Sequence, residues 1–499
     1  MFVHELIQLG HESDIAVVDH GRRITYGDLS KAVSAYRNQL YADGVRVWDR
    51  VAIFSRNSAE YIFAYMAIVS LGAIAVPINF QLSKREIVYI LKDSGAKILL
   101  TNKPMEIDQE LLEMGHMGSI IQYDIASYGK PNPAVPPAPP LPSSFDEKNP
   151  CVIIYTSGTT GSPKGAVLSH RNLVSNAAEQ MRVMTCKRQH RVLCVLPMYH
   201  CFGWTCSVLY PFSCGAQIVV LDSFTPKETI EVIRTEKITD MYVVPSICSL
   251  LSKLAKPEDM ASVRLVLSGG TPLPLKIEED FMEKFGIPVV GGYGLSESSP
   301  VVTMAPPEHA RSGSIGPLVP GIRARFVDSE GNDVPKGEPG ELIIQGDNVM
   351  LGYWNLPEAT KTALRGGWLH TGDVARMDED GYLYIVDRIK DMIISMGENI
   401  YPREVEEVIY KFPGINEAAV IGVEDKLRGQ AGACFYSMNE GATMDLKALK
   451  RYLQQNLALY KIPREFHELP LLPRTSTGKI AKREIHKIYL EKKENKKKD

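Results

Sequence analysis

From Tyr26 to Val289 the chain keeps switching between two residue periods, and that switching constrains its fold more than any other feature. Tyr26 to Leu40 carries apolar residues at helical spacing, and Arg50-Val-Ala-Ile-Phe54 is an apolar run of strand length. Ser83 and Glu86 form a capping box opening a helix through Leu91, and Ala96-Lys-Ile-Leu-Leu100 is a second strand-like run. Helices interleaved with buried strands act as crossovers, which predicts parallel sheets covered on both faces, the α/β class. Tyr61 to Val76 fits the same scheme. It is shorter than the roughly 20 residues of a membrane span and is punctuated by Gly72 and Pro77, so it predicts a buried helix running into a strand.

A chain of 499 residues is too long for one core, and its later segments change character. Lys130 to Pro142 is almost half proline and predicts an extended surface connector. Alternation resumes through Val289. Beyond position 300, Gly316–Gly321, Gly337–Gly340 and Gly366-Gly367 punctuate short strands such as Gly340–Ile344, which predicts a small β-rich subdomain. After Asp387, strands at Ala418–Val423 and Ala433–Tyr436 flank amphipathic helices at Pro402–Tyr410 and Leu446–Leu453, the pattern of a small α+β domain. Glu491 to Asp499 reads as a solvated, frayed charge run.

Charge and cysteine usage narrow the partners. A net charge of -3 and an isoelectric point near 6.4 give no global basicity for nucleic acid or an anionic membrane, so small molecules are expected. None of the eight cysteines forms a C-x-x-C pair, and they read as reduced packing residues of a cytoplasmic protein. Met1 to Gln8 carries an early acid and no long apolar region, so no signal peptide is expected. Oligomeric state, a homodimer included, is not legible.

Chemistry concentrates after the apolar run Cys151–Tyr155. Thr156, Ser157, Gly158, Thr159, Thr160, Gly161, Ser162, Lys164 and Gly165 combine hydroxyls, residues without a Cβ and one ammonium, the set a loop needs to wrap a polyphosphate. The spacing is not that of G-x-x-x-x-G-K-[ST], and a solvated turn is the plain alternative. Other motifs are individually weak. Glu297, in Tyr293-Gly-Leu-Ser-Glu297, follows a strand-like run and offers a hard oxygen for Mg²⁺, or simply answers a helix dipole. Asp373 follows a glycine turn and could accept two ribose hydroxyls, or make an Asx-turn. Arg388 lies in a charge cluster and could contact phosphate or ribose. His200, among aromatics, reads as a pocket residue that need not exchange protons. Lys479 stands on a small-residue loop near the C-terminus, which alone says little.

Taken together, these segments resemble the AMP-forming acyl-CoA synthetases, in order and spacing, over nearly the whole chain. Gly366-Gly-Trp-Leu-His-Thr-Gly-Asp373 with Asp387-Arg388 is similar to the fatty acyl-CoA synthetase signature. The resemblance implies a large domain over 1–389 and a mobile lid over 390–499, hinged at Lys390. It implies that Thr156 to Lys164 hold the β- and γ-phosphates of ATP, that Glu297 and Thr156 hold Mg²⁺, and that Asp373 and Arg388 bind the ribose. Gly269, Gly270 and Thr271, with Gly292, Tyr293, Gly294 and Ser296, would bracket adenine and acyl group. Lys479 would bridge carboxylate and α-phosphate, His200 is counted with Lys479, Glu297 and Thr156 among the catalytic residues, and Gly397 and Glu398 would face the thiol of coenzyme A after the lid turns.

The implied reaction makes chemical sense. A carboxylate has oxide as its leaving group, so it must first become a mixed anhydride with AMP, expelling pyrophosphate. Carboxylate and triphosphate repel, and cations such as Lys164, Mg²⁺ and Lys479 offset that repulsion while holding the reactants in line. The expected activity is that of an acid–thiol ligase. Apolar and aromatic residues over Tyr199–Trp204, Val244–Ser246 and Thr271 point to an uncharged acid, with medium- or long-chain fatty acids expected first and aryl or branched acids second. A luciferase-like or carrier-directed adenylating enzyme, and a silent nucleotide-binding regulator, are the rivals.

Overall fold

Two seven-stranded sheets are what the strand–helix alternation builds in the computed structural model. The structure describes residues 1–113, 115, 119–130, 132–156, 163–396, 398–425, 427–475 and 479–495. The first sheet runs in the order Val289–Gly291, Leu265–Ser268, Asp240–Val243, Arg191–Cys194, Gln217–Val220, Ile15–Asp19 and Arg22–Thr25. It is parallel except for the hairpin between its last two strands. The second runs Gly352–Tyr353, Lys164–Ser169, Pro150–Thr156, Ile74–Pro77, Arg50–Phe54, Ile98–Thr101 and Ile121–Asp124, antiparallel only at its first two junctions.

The long apolar segment is the helix Ala59–Ser70 followed by the strand Ile74–Pro77, as expected. The helix is buried on every side because its neighbours cover it all round. Ser58 caps it by accepting from Tyr61 N at 3.1 Å, and Asp19, at the end of a first-sheet strand, accepts from Ala59 N at 3.0 Å. Tyr61 and Tyr65 pack on Trp204, with ring centroids 5.8 and 4.1 Å away. One helix thus joins both sheets to the segment beginning at His200.

A four-stranded antiparallel sheet follows, ordered Arg323–Val327, Gly340–Gln345, Leu369–Met377 and Leu383–Arg388, and is the expected β-rich subdomain. The separate C-terminal domain carries a five-stranded sheet of Glu398–Ile400, Ile393–Ser395, Gly429–Met438 and Ile415–Asp425, with Glu465–Glu468 also paired to Gly429–Met438. It has its own core around Ile393, Val405, Ile409 and Leu449. Arg403 reaches across, its Nη1 donating to Ile385 O at 2.8 Å and its backbone N–H to Asp387 Oδ2 at 2.9 Å.

Of the charged run Glu491–Asp499, expected to be solvated and frayed, Glu491 and Lys493 are exposed, and the part through Asn495 continues a helix instead of fraying. Lys482–Asn495 is a helix, and Ile485 and Tyr489, four residues apart, are buried beside Phe435. Burying side chains of this size stabilises by about 1.5–3 kcal/mol each, and Lys482 at the start of the helix pairs with Glu406 Oε1 at 2.8 Å. Residues 496–499 lie outside the described residues. All eight cysteines are free, six of them buried. Among the described residues no helix is long and apolar enough to cross a membrane.

Candidate active site

The strand Pro150–Thr156 and the strand Lys164–Ser169 form an antiparallel hairpin in which Thr156 stands opposite Lys164. The helix that follows starts only at His170, capped by Ser169, so its N-terminus lies at the other end of the second strand from Lys164. Lys164 sits on a strand rather than within the loop, which fixes its direction. Thr156 Oγ1 donates to Lys164 O at 3.4 Å, and the Tyr155 hydroxyl donates to Asp93 Oδ2 at 2.6 Å. Ser157, Gly158, Thr159, Thr160 and Gly161, expected to cradle phosphates, lie outside the described residues.

Glu297 stands in a single turn, Ser296–Ser298, between the strand Tyr293–Gly294 and the strand Val301–Thr303. Its Oε1 accepts from the Tyr353 hydroxyl at 2.8 Å. One hard oxygen held and the other without a hydrogen bond among the described residues suits a divalent ion, to which the Thr156 hydroxyl would add a second oxygen. Ser296 Oγ lies 3.3 Å from Cys201 Sγ, tying this turn to the segment after His200.

Asp373 and Arg388 face each other on neighbouring strands, with Arg388 Nε 3.0 Å from Asp373 Oδ1. Asp373 Oδ2 accepts from the Tyr293 hydroxyl at 2.6 Å, and burial with that carboxylate beside it drives the Tyr293 phenol well above its usual range. Tyr293, Asp373 and Arg388, separate in sequence, form one cluster. Lys390 follows in the turn Ile389–Asp391, its ammonium destabilised by burial and then by Arg388.

Lys479 is delivered to the same place by the C-terminal domain. A Cβ built on Gly270 would lie 3.9 Å from Lys479 Cε and 4.0 Å from Val244 Cγ1. Gly270 has φ +78°, so glycine there gives both the backbone turn and open space before the lysine. Burial lowers the Lys479 pKa, Arg388 and Lys390 lower it further, and the Asp373 carboxylate opposes the shift. His200 Nδ1 accepts from Phe202 N at 3.2 Å, capping the turn Cys201–Trp204. Burial, then Lys479, pushes His200 down to about 4. The ring is neutral near pH 7, with Nε2 left as its donor, which suits lining and hydrogen bonding rather than proton exchange.

The remaining expected residues divide. Gly269 brings backbone against the Phe202 ring, since its Cβ would fall 3.1 Å from Cζ. Gly292 and Gly294 answer packing, because side chains there would meet Leu267 at 3.0 Å and Pro300 O at 2.0 Å. Thr271 is half-buried and donates to Pro272 O at 3.3 Å. Glu398 is exposed on the hairpin where it pairs with Ser395, and forms no hydrogen bond or ion pair with the cluster among the described residues. Gly397 lies outside the described residues. Sequence reasoning missed Tyr353, whose only signal was its place in an aromatic pair, Tyr353-Trp354, after a glycine.

Lys164, Arg388, Lys390 and Lys479 with the carboxylates of Glu297 and Asp373 make a site suited to a polyanion that carries a cation and a sugar. Residues 8–354 match the model of the AMP-binding enzyme family, and 404–479 match the AMP-binding enzyme C-terminal domain. The chain is 36% identical over 482 residues to a feruloyl-CoA synthase of an Amycolatopsis species, covering 95% of this chain and 96% of that one. It is 32% identical to a long-chain-fatty-acid–CoA ligase of Bacillus subtilis, covering 94% and 91%. The solved structure of the Bacillus subtilis o-succinylbenzoate coenzyme A synthetase in complex with ATP and a magnesium ion superposes with a TM-score of 0.83 at 31% identity, covering 96% and 98%.

Proposed function

The chain belongs to the AMP-binding enzyme family and is an AMP-forming acid–coenzyme A ligase using ATP and Mg²⁺, and we propose that its acid carries an uncharged, ring-bearing tail. The adenylating role rests on one observation, that Lys479 of the C-terminal domain lies over Gly270 within reach of the field of Asp373, Arg388 and His200. A separately folded domain places a cation there when the cation has work to do at that spot.

The residues then take the following roles. Thr156 and Lys164, with the glycine-rich segment between them in sequence, hold the β- and γ-phosphates. Glu297 and Thr156 would hold Mg²⁺, which when bound neutralises charge on the triphosphate. Asp373, kept in place by Tyr293, accepts the ribose hydroxyls, and Arg388 contacts ribose or phosphate. Lys479 bridges the acid's carboxylate and the α-phosphate, so that the carboxylate oxygen attacks phosphorus and pyrophosphate leaves. In the second step the thiol attacks the acyl carbonyl, its proton passes to solvent, and AMP leaves. Lys479 then stands in the way, so we divide the chain at Lys390 and assign the part beyond it a rotation that withdraws Lys479 and brings Gly397 and Glu398 up.

Aryl acids are favoured over long alkyl chains by Phe202. Its ring lies against Gly269 and edge-on to Tyr242, centroids 6.4 Å apart, so a flat tail can stack where a long chain must displace the ring. A fatty acid, the first expectation from the sequence, is the second reading, supported by the apolar lining and by the relative named for long-chain acids. Pyrophosphate release over a panel of acids graded in length and aromaticity decides. Cinnamate-type acids should give the highest kcat/KM, and a maximum at a saturated chain of eight carbons or more would reverse the order.

A further inference from the structure

The strand Gly352–Tyr353 is two residues long and pairs at the edge of the second sheet, Tyr353 opposite Ala166. Backbone bonds fasten its surroundings to both halves of the phosphate site. Leu351 N donates to Val167 O at 2.9 Å and Trp354 N to Gly165 O at 2.7 Å, on the hairpin that carries Lys164. Met350 N donates to Glu297 O at 2.9 Å, and Asn348 Nδ2 to Ser298 O at 2.9 Å, on the turn that carries the carboxylate. Tyr353 N itself donates to Thr360 Oγ1 at 2.8 Å. The backbone of this residue is therefore pinned, and so is the direction of its ring.

That ring meets two opposite charges. Its hydroxyl donates to Glu297 Oε1 at 2.8 Å, and Lys164 Nζ stands 5.4 Å from its centroid, within cation–π range. Neither Glu297 nor Lys164 forms an ion pair among the described residues. A carboxylate and an ammonium against the same ring attract each other, and an ion pair between them would occupy the oxygens a metal needs.

We infer that Tyr353 is a positioning residue for the adenylation step: its hydroxyl fixes one oxygen of Glu297 so that the other is offered to the divalent ion, and its ring keeps Lys164 from pairing with that carboxylate. The inference rests on the functional reading above insofar as Glu297 is the metal ligand. Groups that orient a ligand without touching the metal change metal affinity about 10–100-fold when removed.

The test is a metal titration of the full chain, read in two ways. One is the Mg²⁺ dependence of pyrophosphate release at saturating ATP and acid. The other is Mn²⁺ binding, by water-proton relaxation, in the presence of α,β-methylene-ATP, which cannot be cleaved at the bond that breaks. Tyr353→Phe, which keeps the ring, should raise the half-saturating metal concentration about tenfold in both assays, with KM for the acid within about twofold of wild type. Tyr353→Leu should in addition raise KM for ATP, because Lys164 loses its aromatic face. Wild-type metal dependence of Tyr353→Phe in both assays overturns the inference. A wild-type protein that releases no pyrophosphate with any acid overturns the functional reading instead, and the Mn²⁺ measurement then still decides on Tyr353.

Discussion

Arg388 Nε lies 3.0 Å from Asp373 Oδ1, and the Tyr293 hydroxyl donates to the other oxygen of the same carboxylate at 2.6 Å. The Asp373 side chain is 6% exposed and that of Arg388 49%, so the carboxylate is fixed while the cation still reaches the opening of the site. The pair is better understood as a prepared contact for a ligand than as a source of stability, because a half-exposed guanidinium contributes little to folding.

Replacing Asp373 tests that preparation. A hydrogen bond to a charged group is worth about 1.5–3 kcal/mol, so Asp373→Ala should raise KM for ATP about 100-fold if two ribose hydroxyls are lost. Asp373→Asn, which still accepts at one atom, should cost about tenfold. KM for coenzyme A should move by less than about threefold in either variant, since the thiol does not use this carboxylate. ATP saturation curves check the point, and an unchanged KM for ATP in Asp373→Ala removes the ribose assignment.

Much of this arrangement could be read from the chain, and the part that could not has a common cause. Arg50–Phe54 and the capping box at Ser83 and Glu86 fold as expected because their signals are local: β-branched apolar residues in one case, reciprocal hydrogen bonds three residues apart in the other. Lys164 was harder. Glycines and hydroxyls mark a loop, yet nothing local says that the strand after it turns back on the strand before. Tyr293 with Asp373, and Glu297 with Tyr353, are 80 and 56 residues apart, and no periodicity links such partners. The helix Lys482–Asn495 was hidden by composition, since two buried residues on one face outweigh a run of solvated lysines.

Arg403 gives a test of the domain arrangement. Its bonds to Ile385 O and Asp387 Oδ2 join the C-terminal domain to the last strand before Lys390. Any rotation beginning at Lys390 must break them. Arg403→Ala leaves the Ile385 carbonyl without this partner, costing about 1–3 kcal/mol in this arrangement only, and should slow adenylation about tenfold or more while the thioester step is spared. Separate assays of the two half-reactions measure this, and equal slowing of both would contradict it.

Stability against acid should report the buried histidines. His170 is fully buried, with Nδ1 accepting from Val3 N at 3.2 Å, and burial pushes its pKa down to about 3; His4 is pushed down to about 4. Both are neutral in the fold but take protons near pH 6.5 in the unfolded chain. Stability is therefore complete above that pH and declines as the pH falls from there toward the folded-state values, by about 2 kcal/mol per histidine at pH 5. His170→Asn, whose Oδ1 can accept the Val3 N–H, should flatten the decline between pH 7 and pH 5 by about that amount. Denaturant unfolding at both pH values checks it, and parallel curves for wild type and variant would count against it.

The central claim is that one site runs two half-reactions and needs Lys479 for the first alone. Lys479→Ala, given either Mg²⁺, ATP and the preferred acid or the synthetic acyl adenylate with coenzyme A, tests it most directly in single turnover. The expected result is a loss of adenylate formation of about 100-fold or more, with thioester formation from the preformed adenylate within about threefold of wild type. Adenylate formation at the wild-type rate, or equal loss in both half-reactions, would contradict it.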